Sequence, residues 1–343
     1  MLAPIAWRTP PAHYGPWERV TSLVTEGLVA RGVDVTLFAT ADSLTAATLA
    51  GVSPHGYAED PSMDGRVWEA LHVAHALSRS AEFDLVHNQM DWLPLAFSVH
   101  CSAPMVTTVH GFSGPAILPA YLRGRSAFVA ISDADRSPAL EYLATIAHGI
   151  DFAELPLRAQ AGDDLVVFGR IHPDKGTAQA IEIARRAGRR LIICGIVQDE
   201  RYFREQVEPH VDGDRVVYLG SVGPAARAEV LGAAAVLLHP IAFAEPFGLS
   251  VVEAMACGTP VVANRLGSMP EVVDEGVTGF LIDADTNTDT DTDSGDRIDG
   301  AVAAIGPAIR LDRAAVRARA EQRFGVDRMV TQYLGVYEQV LGR

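Results

Sequence analysis

The sequence predicts an α/β protein made of two successive doubly wound parallel-sheet units, and three observations carry that expectation. Short β-rich apolar runs alternate with longer amphipathic stretches along the whole chain. The length of 343 residues suits two units at about 100 to 200 residues per domain. Between two such series lies a stretch without clear periodicity, residues 150–164, where a linker near 151–163 is expected.

In the first series, Leu2–Ala6, Val33–Ala39, Phe83–Val86, Met105–Val109 and Ala127–Ile131 read as strands. The opening Met1–Ala6 run reads as the second half of a buried first strand. A helix is expected from Pro16, well suited to a first helical position, to near Gly32, suited to a C-terminal stop. Another covers Arg66–Arg79. In the second series the expected strands are Leu165–Phe168, Leu191–Cys194, Val216–Leu219, Val236–His239, Pro260–Ala263 and Gly279–Ile282. Helices near 177–187, 199–208, 224–234 and 247–256 separate them. Met329, Tyr333, Val336 and Val340 give Val326–Leu341 a helical period. The segment Asp285–Asp296, nearly devoid of apolar residues, reads as a solvated loop. A calcium loop there lacks the terminal bidentate Glu.

Composition narrows the function classes. With 43 acidic and 28 basic residues the net charge is −15, which argues against gripping nucleic acid or anionic membrane by bulk charge. Cys101, Cys194 and Cys257 lie far apart and read as ordinary thiols of a cytosolic protein. The first thirty residues lack the apolar core of a signal peptide, and no run of 18 apolar residues suggests a transmembrane helix. A soluble cytoplasmic enzyme is expected.

Candidate chemistry concentrates in three segments. The first, Glu245–Pro260, follows a buried strand and runs into a helix closed by Gly258. The amides of Phe247, Gly248 and Leu249 at its start form a site for hydroxyls or phosphate oxygens. If the segment is fully helical, Glu245 and Glu253 stand roughly 12 Å apart along the axis. That is too far for a two-carboxylate glycosidase pair, but suits two carboxylates holding opposite parts of one hydroxyl-rich ligand. Glu253 lies among Val251, Val252 and Met255, where a carboxylate usually needs a partner.

The second, Phe168–Gly176, sits just after the first strand of the second unit, at the edge where α/β folds bind ligands. Gly169 permits close backbone approach, and Arg170 with Lys175 forms a candidate diphosphate clamp. The third, Pro10–Glu18, joins the first strand to the first helix, with Gly15 at the helix start. It is not Gly-x-Gly-x-x-Gly, and no Gly-x-x-x-x-Gly-Lys-Ser/Thr loop occurs, which argues against dehydrogenases and P-loop enzymes. His72 and His75 share an i, i+3 spacing that reads as a surface pair rather than a metal site. His87-Asn88-Gln89, Asp91-Trp92, Trp7 and His13 could line an acceptor side. The Asp-x-Asp pairs (Asp133/Asp135, Asp212/Asp214, Asp283/Asp285) are given no function.

Taken in order, Tyr14-Gly-Pro-Trp-Glu18, Thr108-Val-His110-Gly, Ile131-Ser-Asp, His148-Gly-Ile-Asp151, Gly169-Arg-x4-Lys175-Gly and Glu245-x7-Glu253 resemble the retaining glycosyltransferases of family GT4. The resemblance runs over essentially the whole chain. It implies a GT-B type fold, with two Rossmann-like domains facing a central cleft. Residues 1–155 would form the acceptor-side domain and 156–325 the donor domain, with helix 326–343 crossing back to the first.

It also implies that Arg170 and Lys175 neutralise the diphosphate of a UDP- or GDP-sugar, with Gly15 helping. Glu245 and the Phe247–Leu249 amides would hold the sugar hydroxyls, Glu253 would bind the ribose, and His110 would sit beside the reaction centre. Transfer to a small-molecule, saccharide or lipid-linked acceptor would proceed with retention, without a metal or other cofactor. Two departures stand out: His148-Gly149 replaces the usual Asn-Gly, and Gly15 is preceded by Tyr14 rather than Gly. A nucleotide-sugar epimerase and a non-catalytic nucleotide-sugar binder are the competing classes. A phosphorylase is disfavoured by length.

Overall fold

The computed structural model describes residues 1–111, 114–283 and 290–342, with no side chains described over 290–294. The chain forms two compact units, Met1–Ile150 with Val326–Arg343, and Asp151–Gly325. The division falls just ahead of the 155/156 boundary read from the sequence. Residues 152–155 are held to the second unit by Arg317, which donates to the carbonyls of Phe152 and Leu155.

The first unit carries β1 (Thr36–Phe38), β2 (Thr48–Ala50), β3 (Val86–Asn88), β4 (Met105–Val109), β5 (Ala127–Ala130) and β6 (Tyr142–Thr145). All pairings are parallel. Leu2 joins the two parts of the sheet by bridging Phe38 on one side and Asn88 on the other. The expected strand Leu2–Ala6 is thus reduced to one bridging residue, because the backbone leaves the sheet immediately after Ala3 N–H bonds Phe38 O. With Leu2 counted as first, the spatial order is 3-2-1-4-5-6-7. That places a topological switch point between Leu2 and β3, the position where open α/β sheets bind ligands.

The helix Pro16–Val29 follows the first turn, and Gly65–Ser78 covers the core built on Leu2, Phe38, Val73, Leu77, Val86, Leu95, Met105 and Tyr121. The C-terminal helix Val326–Leu341 buries Met329, Val330, Tyr333 and Val336 in this unit. It packs against the first helix at Gly27, where a side chain would run into Val330, and Arg31 pairs with Asp327 at 2.8 Å.

The second unit carries β7 (Leu165–Phe168), β8 (Leu191–Cys194), β9 (Val216–Tyr218), β10 (Val236–His239), β11 (Val261–Asn264) and β12 (Gly279–Ile282). Their order β12-β11-β10-β7-β8-β9 is the 3-2-1-4-5-6 arrangement of a Rossmann-like sheet, read from the far edge. The switch point lies between β7 and β10, which pair directly. Leu165, Val167, Ile181, Leu191, Ile193, Val236 and Leu238 centre the core.

Two sequence expectations change here. The single helix over 199–208 is broken into Glu200–Tyr202, a wider turn at Phe203–Val207, and a tight turn at Glu208–His210, where Pro209 cannot donate to the helix. The acidic segment is not one loop: residues 284–289, and with them Asp285, lie outside the described residues, whereas a helix runs from Thr290 to Ile309. Among the described residues, no helix is long and apolar enough to cross a membrane.

Candidate functional site

The loops leaving β7 and β10 meet at the switch point of the second unit. Pro173–Lys175 forms one tight turn, tied to the other loop where Ala242 N–H donates to Asp174 O at 2.8 Å. This backbone link brings residues 70 apart in sequence into contact: Lys175 Nζ lies 2.5 Å from Glu245 Oε2. The ammonium also stands 4.5 Å from the Phe243 ring centre, and both partners are largely shielded, at 15% and 11% side-chain exposure. Such a pair is far less screened than a surface bridge.

His239, the buried last residue of β10, approaches the same carboxylate oxygen. At 3.5 Å its Nε2 makes an electrostatic contact rather than a formed hydrogen bond. Burial alone raises the Glu245 carboxyl, but His239 and the Lys175 ammonium together outweigh it and hold the group below the usual carboxylate range. Glu245 is therefore an ionised acceptor fixed at the sheet edge. Behind it, Gly267 adopts φ +56°, and a Cβ there would lie 2.3 Å from the Glu245 nitrogen.

Arg170 stands on the same loop as Lys175 but has its own partners. Its Nη2 is 3.3 Å from Asp174 Oδ2, and its Nη1 donates to Gln198. His172 Nδ1 accepts the Asp174 backbone N–H at 3.3 Å and lies 2.7 Å from Asp174 Oδ1. Each cation of the expected clamp thus carries a carboxylate, and an arriving anion would have to compete with Asp174 for Arg170. Gly169 gives its amide to Cys194 O at 3.0 Å. A side chain there would meet only Lys175 Cδ, 4.0 Å away, so the glycine keeps open the floor beside the cations.

The helix expected from residue 247 begins at Leu249, capped by Gly248 at φ +88°. Glu245 and Glu253 are therefore not on one continuous helix, and the axial separation expected for a full helix does not apply. The Gly248 and Leu249 N–H groups bond no protein acceptor among the described residues. Phe247 packs edge-on to Phe324 with ring centres 5.8 Å apart. Glu253, buried as a mid-helix carboxylate seldom is, has the partner it needs: Arg227 Nη1 at 2.8 Å, on the helix Pro224–Ala233. The Arg227 guanidinium also lies over the Phe168 ring at 5.5 Å.

In the first unit, Gly15 caps the first helix at φ +144°, where a Cβ would come within 2.8 Å of Pro11 and 3.0 Å of Glu18 Oε2. Glu18 is itself buried and accepts from Trp7 N–H at 3.2 Å. Burial, opposed more weakly by backbone N–H donors, raises its carboxyl from 4.5 to about 7. A folded-state value above the unfolded one favours the protonated acid. This contribution is complete below about pH 4.5 and is lost as pH rises through about 7. Glu18→Gln is accordingly expected to raise the melting temperature at pH 8 relative to the parent, with up to about 3 kcal/mol recovered. At pH 4.5 the two should melt alike. Equal melting at both values in calorimetry would show that Glu18 is not buried as an acid.

His110 follows β4 and is buried, its ring stacked on Trp17 with centres 5.2 Å apart. His72 is not a surface residue: it is fully buried, with Nε2 3.0 Å from Ala3 O, and His75 packs edge-on to Phe38. His87 and Gln89 face inward, bonded to buried partners, rather than lining an open acceptor surface. Asp91 adopts φ 68°, unusual for a residue with a side chain, and accepts from Tyr121 OH. The adjacent Trp92 is 39% exposed. Arg227, Asp174 and Gln198 carried no signal in the sequence. His239 did, as a histidine closing a buried strand at the ligand-binding edge.

Two family models match the chain: residues 17–148 fit "Glycosyltransferase Family 4" and residues 157–292 fit "Glycosyl transferases group 1". A phosphatidyl-myo-inositol mannosyltransferase of Mycolicibacterium smegmatis is 31% identical over 273 residues, covering 73% of this chain and 66% of that protein. An alpha-maltose-1-phosphate synthase of the same organism is 36% identical over 142 residues, 38% of this chain. The chain spans only 36% of the synthase. Among solved structures, sucrose-phosphate synthase from Thermosynechococcus elongatus superposes with TM-score 0.75 at 20% identity, covering 99% of this chain and 98% of that one. A glycosyltransferase involved in avilamycin A biosynthesis gives 0.73 at 23% identity, covering 99% and 97%. Anabaena HepE, solved with UDP and glucose, gives 0.73 at 20% identity, covering 95% and 96%.

Proposed function

Because the chain belongs to the GT-B glycosyltransferases of family 4, we propose that it transfers a sugar from a UDP- or GDP-sugar to an acceptor hydroxyl with retention. The observation that carries this reading is the Lys175–Glu245 pair at the switch point of the second unit, beside Arg170 and the open Gly248 and Leu249 amides. In this reading the donor diphosphate takes Arg170 from Asp174 and lies near Lys175. Glu245, kept ionised by its neighbours, accepts hydrogen bonds from sugar hydroxyls, while Glu253, oriented by Arg227, accepts them from the ribose.

The anomeric C–O bond to the diphosphate breaks as the bond to the acceptor oxygen forms on the same face. The acceptor proton passes to the leaving phosphate oxygen. The cations and amides meet the charge that develops on that leaving group, which is where fixed dipoles contribute most. No protein nucleophile and no divalent cation enters the scheme. As the family resemblance implies, Gly15 assists with the diphosphate and His110 sits beside the reaction centre; the acceptor is a small molecule, a saccharide or a lipid-linked sugar. The three free cysteines fit a cytoplasmic setting.

A thermal-shift panel of UDP-, GDP-, ADP- and dTDP-sugars, run with EDTA throughout, tests the donor side. A rise with a UDP- or GDP-sugar that disappears in Arg170→Ala is expected. No shift with any nucleotide sugar would sink the proposal. A new sugar nucleotide formed without acceptor would replace transfer by epimerisation.

A further inference from the structure

The inward face of the first unit holds a continuous train of polar groups that the sheet and the C-terminal helix build together. His87 and Gln89 alternate onto one face of β3 and its exit, and Thr108 and His110 onto the same face of the neighbouring β4, since side chains two apart share a face. The parallel register pairs His87 with Val106 and Asn88 with Thr107, which sets Gln89 beside Thr108. Tyr333 and Tyr337, four residues apart and so on one face of the C-terminal helix, close over them.

The contacts run end to end. Tyr337 OH is 2.6 Å from His87 Nδ1, and His87 Nε2 is 2.8 Å from Thr108 Oγ1 and 3.2 Å from Gln89 Nε2. Thr108 Oγ1 is also 2.8 Å from Tyr333 OH. Gln89 Oε1 lies 2.6 Å from His110 Nε2, and His110 Nδ1 lies 3.2 Å from His148 Nε2.

One choice fixes every proton on this train. A carboxamide offers an acceptor at one end and donors at the other. With the Gln89 oxygen on His110, that histidine must donate from Nε2, and its Nδ1 must then accept from His148. The Gln89 nitrogen simultaneously requires a lone pair on His87 Nε2, so His87 donates from Nδ1 to Tyr337. All three rings are buried, and burial, with neighbouring histidines as a lesser cause for His110, pushes each toward the neutral form these roles need.

We propose that Gln89, His87 and Tyr337 are positioning residues for His110, fixing it with its proton on Nε2 and its Nδ1 lone pair turned to His148. With both ring nitrogens engaged, His110 acts as an oriented neutral dipole and carries no proton to or from substrate. The C-terminal helix sets that orientation through Tyr337 and, by way of Thr108, Tyr333. This rests on the functional reading above and deepens it, taking His110 to sit beside the reaction centre as the family resemblance implies.

The test is a long-range ¹H–¹⁵N correlation spectrum of the full chain carrying ring-labelled histidine, with signals assigned by single His→Gln variants. The expected pattern is Nε2–H on His110 and His148 and Nδ1–H on His87. Tyr337→Phe should move the His110 nitrogen shifts, although the hydroxyl it removes bonds His87 and not His110. An Nδ1–H His110, or His110 shifts unchanged in Tyr337→Phe, would overturn the proposal.

Kinetics supply the second arm: Gln89→Leu should lower kcat about 10-fold or more with little change in donor KM. Parental kcat in a folded Gln89→Leu would overturn the positioning role even with the expected spectrum. The spectrum needs no substrate, so it decides the orientation of His110 even if the chain transfers no sugar.

Discussion

Glu245→Ala is expected to lower kcat/KM by about 10³-fold, the scale seen when one fixed electrostatic partner of a transition state is removed. Lys175→Ala should fall as far, because in the proposed reading the two groups act as one unit: the ammonium would meet the leaving phosphate, and it holds the carboxylate 2.5 Å away. Groups acting as a unit are not additive, so the double variant should be little worse than either single one. Each single variant leaves a shielded charge without its partner, which costs some stability. The readout is therefore initial rate per folded molecule, with folding followed by circular dichroism. Folded Glu245→Ala and Lys175→Ala proteins that transfer sugar at the parental rate would show that the switch-point pair is not the active site.

Arg227→Met carries the largest expected stability effect. Glu253 is 4% exposed and its carboxylate rests 2.8 Å from the Arg227 guanidinium. Removing one partner of a buried pair typically costs about 3–5 kcal/mol, because the remaining group stays desolvated and loses that ion pair. The urea midpoint of Arg227→Met should drop accordingly. Adding Glu253→Gln should restore most of the loss by removing that charge. In the proposed reading, binding of the nucleotide sugar should not return with it, since the ribose then loses the carboxylate assigned to it. If the double variant regains both stability and donor binding, Glu253 is a packing residue and the ribose is held elsewhere.

The sequence announced the strands that are continuous apolar runs and the helix that carries Glu253 because those features are local. Met105–Val109, Leu165–Phe168, Leu191–Cys194, Val236–His239 and Gly279–Ile282 appear at the bounds their apolar runs suggested. The edges of the first unit's sheet were harder. Thr48–Ala50 and Tyr142–Thr145 border their sheet and are only partly buried, so hydrophobicity does not mark them. The acidic stretch from Thr290 was misread because its composition resembles a loop, whereas the helix continues into the buried Ala301, Ile305 and Ala308.

In the candidate site, Glu245, Lys175 and Arg170 were visible through motif and position at a strand end. Their partners were not: Arg227 reaches Glu253 from a helix more than twenty residues upstream, and His87 reaches Tyr337 across 250 residues. Such pairings are decided by packing, which no short window of sequence contains.

The glycine behind Glu245 has a consequence for reading natural variation in this chain. Gly267 touches no ligand in any reading offered above, and it lies outside every motif that marked the site. Yet any side chain there would press on the Glu245 backbone within 2.3 to 2.4 Å. In a saturation library scored by survival of activity, position 267 should be as intolerant as 245 itself, with alanine already failing. A map of loss-of-function alleles would then draw the active site one layer wider than its chemistry, and the extra layer would be written in glycine.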